Sequence, residues 1–497
     1  MNNVHLLDAD AIELARRLRT REVSAAELVD AAIAGIEAVN PRLNAVVHKM
    51  YDTARQQAKQ PLTDAPFAGV PMVVKDFDGF VKGVPFTAST RFLAGFVPDH
   101  DAEAIARFRR AGLIFLAKTN CPELAILGTT ESAWRGPAHN PWNLEHTAGG
   151  SSGGSAALVA ARAVPIAHGG DGGGSLRIPA SCCGLIGLKA SRGRIPTGPD
   201  MGEGWGGYVQ FGVLTRSVRD TAAMLDVLAG PMAGDPYAAP PHEGTFLAAM
   251  ARTPQKLRIA FSTRSFFGRT THPACVTAVK NTAKLLTDLG HHVEEAHPEF
   301  DRDALVQAYL TQVGVGTAAE ISDFARWVGK TPKAEDFEPS TWFLRQVGLA
   351  MDGVDLQRAR DAIQTAGRQM ARFHQRYDVL LSATLAHPPV RLGELGLKPA
   401  DKIGLGVLRK VPLKAAIRAA LAQLAADNFE KMPNTQLFNQ TGQPAISLPL
   451  HTGPGGLPVG VQFSAAYGEE DVLLALAAQI EAASPWIARR PVVSVAV

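Results

Sequence analysis

Cysteine is scarce. Four residues (Cys121, Cys182, Cys183 and Cys275) in a chain of 497 are too few for a disulfide framework, and the adjacent pair reads as small core residues. No apolar run reaches the ~18 residues of a spanning helix. Charge of one sign is lacking as well. The chain carries 50 Lys and Arg against 47 Asp and Glu, a formal net charge of +3, spread too evenly to attract nucleic acid. Residues 1–17 show no basic head followed by an apolar stretch, so no secretory signal is expected there. These features lead to the expectation of a cytoplasmic chain with neither a nucleic-acid nor a membrane partner.

Motifs for bound groups are missing too. There is no His-Glu-x-x-His and no Cys/His cluster, so no metal is expected. No Gly-x4-Gly-Lys-Ser/Thr occurs, which excludes a P-loop. Gly202 to Gly207 does match G-x-G-x-x-G. It follows Pro196-Thr-Gly-Pro rather than a strand, and a strand rather than a helix should follow it, so a dinucleotide site is not expected. No cofactor is expected.

What is present is an ordinary globular balance, 46% hydrophobic and 20% charged, with 47 Gly and 33 Pro that imply many tight turns. Ser24 and Glu27 form a capping box for a helix that Pro41 should stop. The apolar run from Gly69 to Val74 reads as a buried strand ending at Lys75-Asp76. A helix is expected from Ala102 to Ala111, a strand over 113–117, loop between Trp134 and Gly154, and a helix from Ser155. Further strands are expected near 257–261 and 292–296, with a helix between them from Cys275 to Leu289. Residues from about 300 to 430 read as mostly helical. Strands at 443–449 and 459–463 and a helix from Glu470 to Ala483 close the pattern. Strands alternating with helices imply an α/β layer structure.

Two glycine loops carry the chemistry: Gly149-Gly-Ser-Ser-Gly-Gly-Ser155 and Asp171-Gly-Gly-Gly-Ser175. Glycine lets backbone approach a ligand closely, and successive N–H groups in such a turn form a concave donor site for an anion. A serine ending such a turn suits a nucleophile whose oxyanion those N–H groups stabilise. Gly149-x-Ser151-x-Gly153 and Gly150-x-Ser152-x-Gly154 also match the nucleophile elbow of α/β-hydrolases. That pattern needs a strand before it, and residues 142–148 do not read as one. Two kinds of base stay open. His146 and His168 flank the loops, and each reads more readily as a loop or core residue. Lys75 ends an apolar run, where burial should depress its pKa towards a value useful to a general base.

The order of motifs resembles the amidase signature family, serine hydrolases with a Ser-cisSer-Lys triad. The resemblance rests on 69–76 (Gly-Val-Pro-Met-Val-Val-Lys-Asp), Lys118-Thr-Asn, Asn140-Pro-Trp, the two glycine loops, 183–189, 442–449 and 456–462. It implies an α/β fold, the amidase signature fold, with a large mixed β-sheet core flanked by helices on both faces. One domain over 1–497 is expected: N-terminal helices over 1–65, a catalytic core over 66–230, a variable and mostly helical substrate side over 231–435, and strands and a helix over 436–497 that return to the core.

The resemblance also implies roles. Ser175 would be the nucleophile, Ser151 the bridging serine on a non-prolyl cis peptide, and Lys75 the base. The backbone N–H groups of Gly172, Gly173, Gly174 and Ser175 would be the oxyanion donors. Asp171 and Arg177 read as an ion pair fixing the turn. Gly172 departs from the Thr or Ile common in the family, and the extra glycine is expected to loosen the turn or admit a bulkier acyl group. Trp205 and Tyr208 among glycines suit a mobile lid over an apolar pocket, with Phe438 and Gln440 as further pocket candidates. Within the family the tail is most similar to the 6-aminohexanoate cyclic-dimer hydrolases and to related aryl acylamidases and urethanases. The expected activity is therefore hydrolysis of a C–N bond in a small amide or carbamate, with a homodimer as the candidate assembly. The alternative is a glutaminase-type amidotransferase subunit that needs a partner.

Overall fold

The computed structural model describes residues 4–495, other than 253, 269, 397–416, 418–428 and 431. Eleven strands form one mixed sheet: β1 (Val46–Lys49), β2 (Pro71–Lys75), β3 (Ile114–Thr119), β4 (Ile166–Asp171), β5 (Ile186–Lys189), β6 (Gln210–Thr215), β7 (Arg258–Ser262), β8 (His292–Glu295), β9 (Val379–Ala383), β10 (Ala445–Thr452) and β11 (Pro458–Ala465). Their spatial order is β1-β3-β2-β4-β6-β5-β10-β11-β9-β7-β8. Fourteen α-helices accompany the sheet among the described residues, so the fold is α/β.

The centre of this sheet positions the site. Strand β2 runs parallel to β3 on one side and to β4 on the other, with Met72 opposite Ile166 and Val73 opposite Ala167. Every residue of β2 and β4 is buried, which places both strands deep inside the molecule. Because β2 and β4 point the same way, Lys75 and the turn after Asp171 emerge from the same edge of the sheet. Open α/β sheets bind ligands at this carboxyl edge.

Three sequence expectations are corrected. Pro41 does not stop its helix, which runs from Ala25 to Leu43 and ends at Asn44 in the left-handed region. The capping box at Ser24 and Glu27 is formed as expected. Residues Asn143–Thr147 do form a strand, paired with His139–Asn140 in a small hairpin outside the main sheet. The stretch from about 300 to 430 is mostly helical over its described residues, 397–416 and 418–428 lying outside them, but it also contains β9, which pairs with β7 and β11. The long helix Arg302–Val328 begins on an Asp301 cap, whose side chain accepts from Ala304 N at 3.0 Å, and ends at Gly329 with φ 65°.

Candidate active site

Lys75 closes β2 and is buried, as the apolar run before it predicts. Its Nζ donates to Ser151 Oγ at 2.9 Å. The same nitrogen forms an ion pair with Asp78, which sequence reading did not single out. Asp78 reaches it because the chain turns back after β2, with Asp78 itself at φ 66°. Ser151 follows a cis peptide bond from Gly150, and its neighbour Ser152 precedes the helix Gly153–Ala160. Thr130 fastens this loop, since its hydroxyl donates to Gly149 O at 2.9 Å and accepts from Gly153 N at 3.2 Å. Ser152 is buried and donates to Gly170 O, so the elbow arrangement with an exposed Ser152 is not formed.

The second glycine loop is clamped by one carboxylate. Asp171 Oδ1 accepts from Gly174 N at 2.7 Å, Arg177 Nη2 at 2.8 Å and Asn439 Nδ2 at 2.8 Å. Oδ2 accepts from Arg177 Nε at 2.9 Å and Leu176 N at 3.3 Å. Burial alone would raise this acid, but the Arg177 charge and these hydrogen bonds outweigh burial and hold it down to about 2. Arg177 also donates to Thr435 O, Gln462 Oε1 and Asn439 Oδ1. Asp171 and Arg177 thus form the ion pair expected of them. Within the turn Gly173 and Ser175 are part-exposed, and Asp171, Gly172 and Gly174 are buried.

One donor is lost from the expected set. The Gly174 N–H is committed to Asp171, because Gly174 at φ 126° turns its amide inward. The N–H groups of Gly172, Gly173 and Ser175 have no such partner among the described residues. No hydrogen bond joins the Ser151 and Ser175 hydroxyls among the described residues either.

Three neighbours press on the three glycines. A Cβ at Gly172 would lie 3.1 Å from the Trp205 ring, one at Gly173 2.2 Å from the Tyr309 hydroxyl, and one at Gly174 2.3 Å from Thr435 Oγ1. The space expected to open at Gly172 is therefore filled by Trp205. The loop expected to act as a lid is packed in this structure, and Trp205 lines an aromatic cavity. Trp205 sits between Gly172 and Gly316, Tyr208 is buried and stacked on Tyr309 at 5.7 Å, and Arg192 Nε donates to Gly207 O at 2.8 Å. Phe438 is buried edge-on to Phe266, and Gln440 is buried with both amide atoms unpartnered. Both lie on the short helix Gln436–Thr441, which Asn439 ties to Asp171.

The histidine alternative has no geometry to support it. His168 lies between Phe108 and Phe211 with neither ring nitrogen hydrogen-bonded among the described residues, and burial, aided by the Lys75 and Lys118 charges, pushes it down to about 3. His146 is half-buried, its Nδ1 has no hydrogen-bond partner, and burial also lowers it. Among the described residues no group of three His, Cys, Asp or Glu side chains could hold a metal ion. All four cysteines are free and buried. No helix among the described residues is long and apolar enough to cross a membrane.

The Amidase family model matches residues 27–474, nearly the whole chain. This chain belongs to the amidase signature family. It is accordingly an amide-hydrolysing enzyme. It is 38% identical over 490 residues to 6-aminohexanoate-cyclic-dimer hydrolase of Pseudomonas sp. (strain NK87), covering 97% of this chain and 96% of that one. The counterpart of the same name from Paenarthrobacter ureafaciens gives the same identity and coverage. A solved structure of 6-aminohexanoate cyclic dimer hydrolase complexed with substrate superposes with a TM-score of 0.88 at 37% identity, covering 98% of this chain and all of that one. A bacterial aryl acylamidase follows at a TM-score of 0.84 and 27% identity, covering 97% of this chain and 99% of that one.

Proposed function

We propose that this amidase cleaves a C–N bond through an acyl-enzyme on Ser175, with Ser151 as the bridging serine and Lys75 as the base. The observation that carries the reading is the 2.9 Å contact from Lys75 Nζ to Ser151 Oγ, at the sheet edge where the turn bearing Ser175 emerges. As the base, Lys75 takes a proton from Ser151, which takes one from Ser175 as that hydroxyl attacks the carbonyl carbon. Asp78 stands where the ammonium so formed needs a counter-charge. The oxyanion is met by the N–H groups of Gly172, Gly173 and Ser175. The proton returns through Ser151 to the leaving amine, and water then releases the acid. The two serine hydroxyls have to close up when substrate enters, as catalytic hydrogen bonds commonly do.

The relatives' names favour a linear or cyclic aliphatic amide of the 6-aminohexanoate type or an anilide, and a carbamate presents the same carbonyl and leaving amine. The test is to incubate the enzyme with a serine-directed covalent reagent, map the adduct, and assay nylon-type oligomer, anilide and carbamate substrates side by side. The expected adduct is on Ser175, and Ser175→Ala should form no acyl-enzyme. Labelling of Ser152 would overturn the assignment.

A further inference from the structure

Beside the Lys75–Asp78 pair lies a cavity of about 270 Å³ with two kinds of wall. One is aromatic: Phe77, Phe80, Phe86, Trp205, Phe324 and Trp327 all line it. Trp327 stands 5.2 Å from Phe80 and 5.2 Å from Phe324, so the rings form a connected box. The other is acidic: Asp78, Asp200, Glu203, Glu320 and Asp323.

Four of these acids already have cations. Asp78 pairs with Lys75, Asp200 with His100 at 2.7 Å, Glu203 with Arg360 at 3.9 Å, and Asp323 with Arg326. Glu320 has none among the described residues. Its polar neighbour there is the indole N–H of Trp205, a residue only 8% exposed, which is a neutral donor and supplies no counter-charge. A buried carboxyl without a counter-charge stays protonated, a cation that reaches it favours the carboxylate, and aromatic faces attract cations that have shed water. We propose that this cavity is a binding site for a primary alkylammonium group, with Glu320 as its counter-ion and the aromatic box around its methylenes.

The setting gives that group a source. If the Proposed function holds, every turnover releases an amine, and an amine is an ammonium at neutral pH. An ω-amino end on the substrate's acyl portion would present the same group. The charge around Glu320 adds a signature. Burial, then the charges of Asp78 and Asp323, push Glu320 up to about 8 against the lowering effect of the Trp205 hydrogen bond, so at pH 7 it is mostly the neutral acid. An arriving cation favours the carboxylate and expels that proton. Binding should therefore tighten as pH rises through 8, until the amine itself loses its proton near 10.

The probe is n-butylammonium, titrated into the intact protein by calorimetry and by the fluorescence of the cavity tryptophans. Neither needs turnover, so failure here is distinct from failure of the catalytic reading. Saturable binding is expected for n-butylammonium and not for n-butanol or butyrate. Glu320→Gln should weaken it by at least about tenfold. Asp323→Asn, at a more exposed site, should weaken it about two- to threefold and serves if Glu320→Gln does not fold. A lower KM for an ω-aminoacyl anilide than for the acyl anilide of equal length would place the ammonium on the acyl side. Equal KM values with inhibition by n-butylammonium would place it on the released amine. No saturable binding, equal binding of n-butanol, or unchanged affinity in both variants would overturn the proposal.

Discussion

Asp171→Asn is the most informative single change. It keeps the shape of a side chain that accepts five hydrogen bonds, and removes the charge that balances Arg177. Both partners are fully buried. Taking one charge from a buried pair leaves the other uncompensated, which costs about 3–5 kcal/mol. Whole domains are stable by only about 5–15 kcal/mol, so the loss is a large share of the total. The chain is long and its unfolding entropy correspondingly large, so calorimetry should show a fall in Tm of roughly 4 °C.

The pH dependence gives the sign. Asp171 sits at about 2 in the folded chain against 3.8 ordinarily, so its contribution is present above 3.8 and fades as pH falls towards 2. That difference is worth about 2 kcal/mol. Wild type should lose this much stability in that acid window, and Asp171→Asn should not. Activity should fall further than stability, because the amide NH2 that replaces Oδ2 faces two donors, Leu176 N–H and Arg177 Nε–H, and loosens the turn that carries Ser175. A variant within about 1 kcal/mol of wild type and fully active would refute the clamp.

Three further outcomes are expected. Lys75→Ala should lose about 10²–10⁴-fold in kcat/KM, and Lys75→Arg should not restore it, because a guanidinium does not give up its proton. Gly173→Ala should lose activity because its methyl meets the Tyr309 hydroxyl, whose ring is held between Tyr208 and Phe429; adding Tyr309→Phe should recover part of the loss in a double-mutant cycle. A strong chelator should leave the initial rate unchanged, since the described residues offer no ligand cluster, and activity that disappears and returns with added zinc would contradict this.

The parts of the site visible in the sequence are those that chemistry ties to local residue types. Two glycine-serine loops and a lysine ending an apolar run could be picked out because each motif is contiguous. Asp78 is only three residues beyond Lys75, yet nothing in an extended reading brings its carboxylate back to Nζ; the turn at φ 66° does. The Gly174 N–H looked like one donor among four, and only the fold shows Asp171 claiming it. Strand β9 was hidden because Val-Leu-Leu-Ser-Ala follows a long helix, and a short apolar run cannot be told from more helix by periodicity. The strand at 143–147 was hidden for the opposite reason, being polar, half-exposed and outside the main sheet. Pro41 misled because a proline near the end of a helix costs only one backbone bond of the last turns.

The three glycines before Ser175 explain why the remainder could not be read locally. Each is pressed by a different stretch of chain: Gly172 by Trp205 from the loop at 202–208, Gly173 by Tyr309 from the helix Arg302–Val328, and Gly174 by Thr435 at the start of the helix Gln436–Thr441. Thr435 also donates from its hydroxyl to Gly173 O at 2.6 Å, so the same residue shapes the turn and crowds it. The departure at Gly172 therefore belongs with Trp205: a larger residue at 172 needs a smaller one at 205. Two of the three contacts, from Tyr309 and Thr435, come from the stretch 231–435 expected to vary with substrate. The turn that bears Ser175 is in this sense built by distant stretches of the chain, and a change at Trp205, Tyr309 or Thr435 cannot leave its geometry untouched.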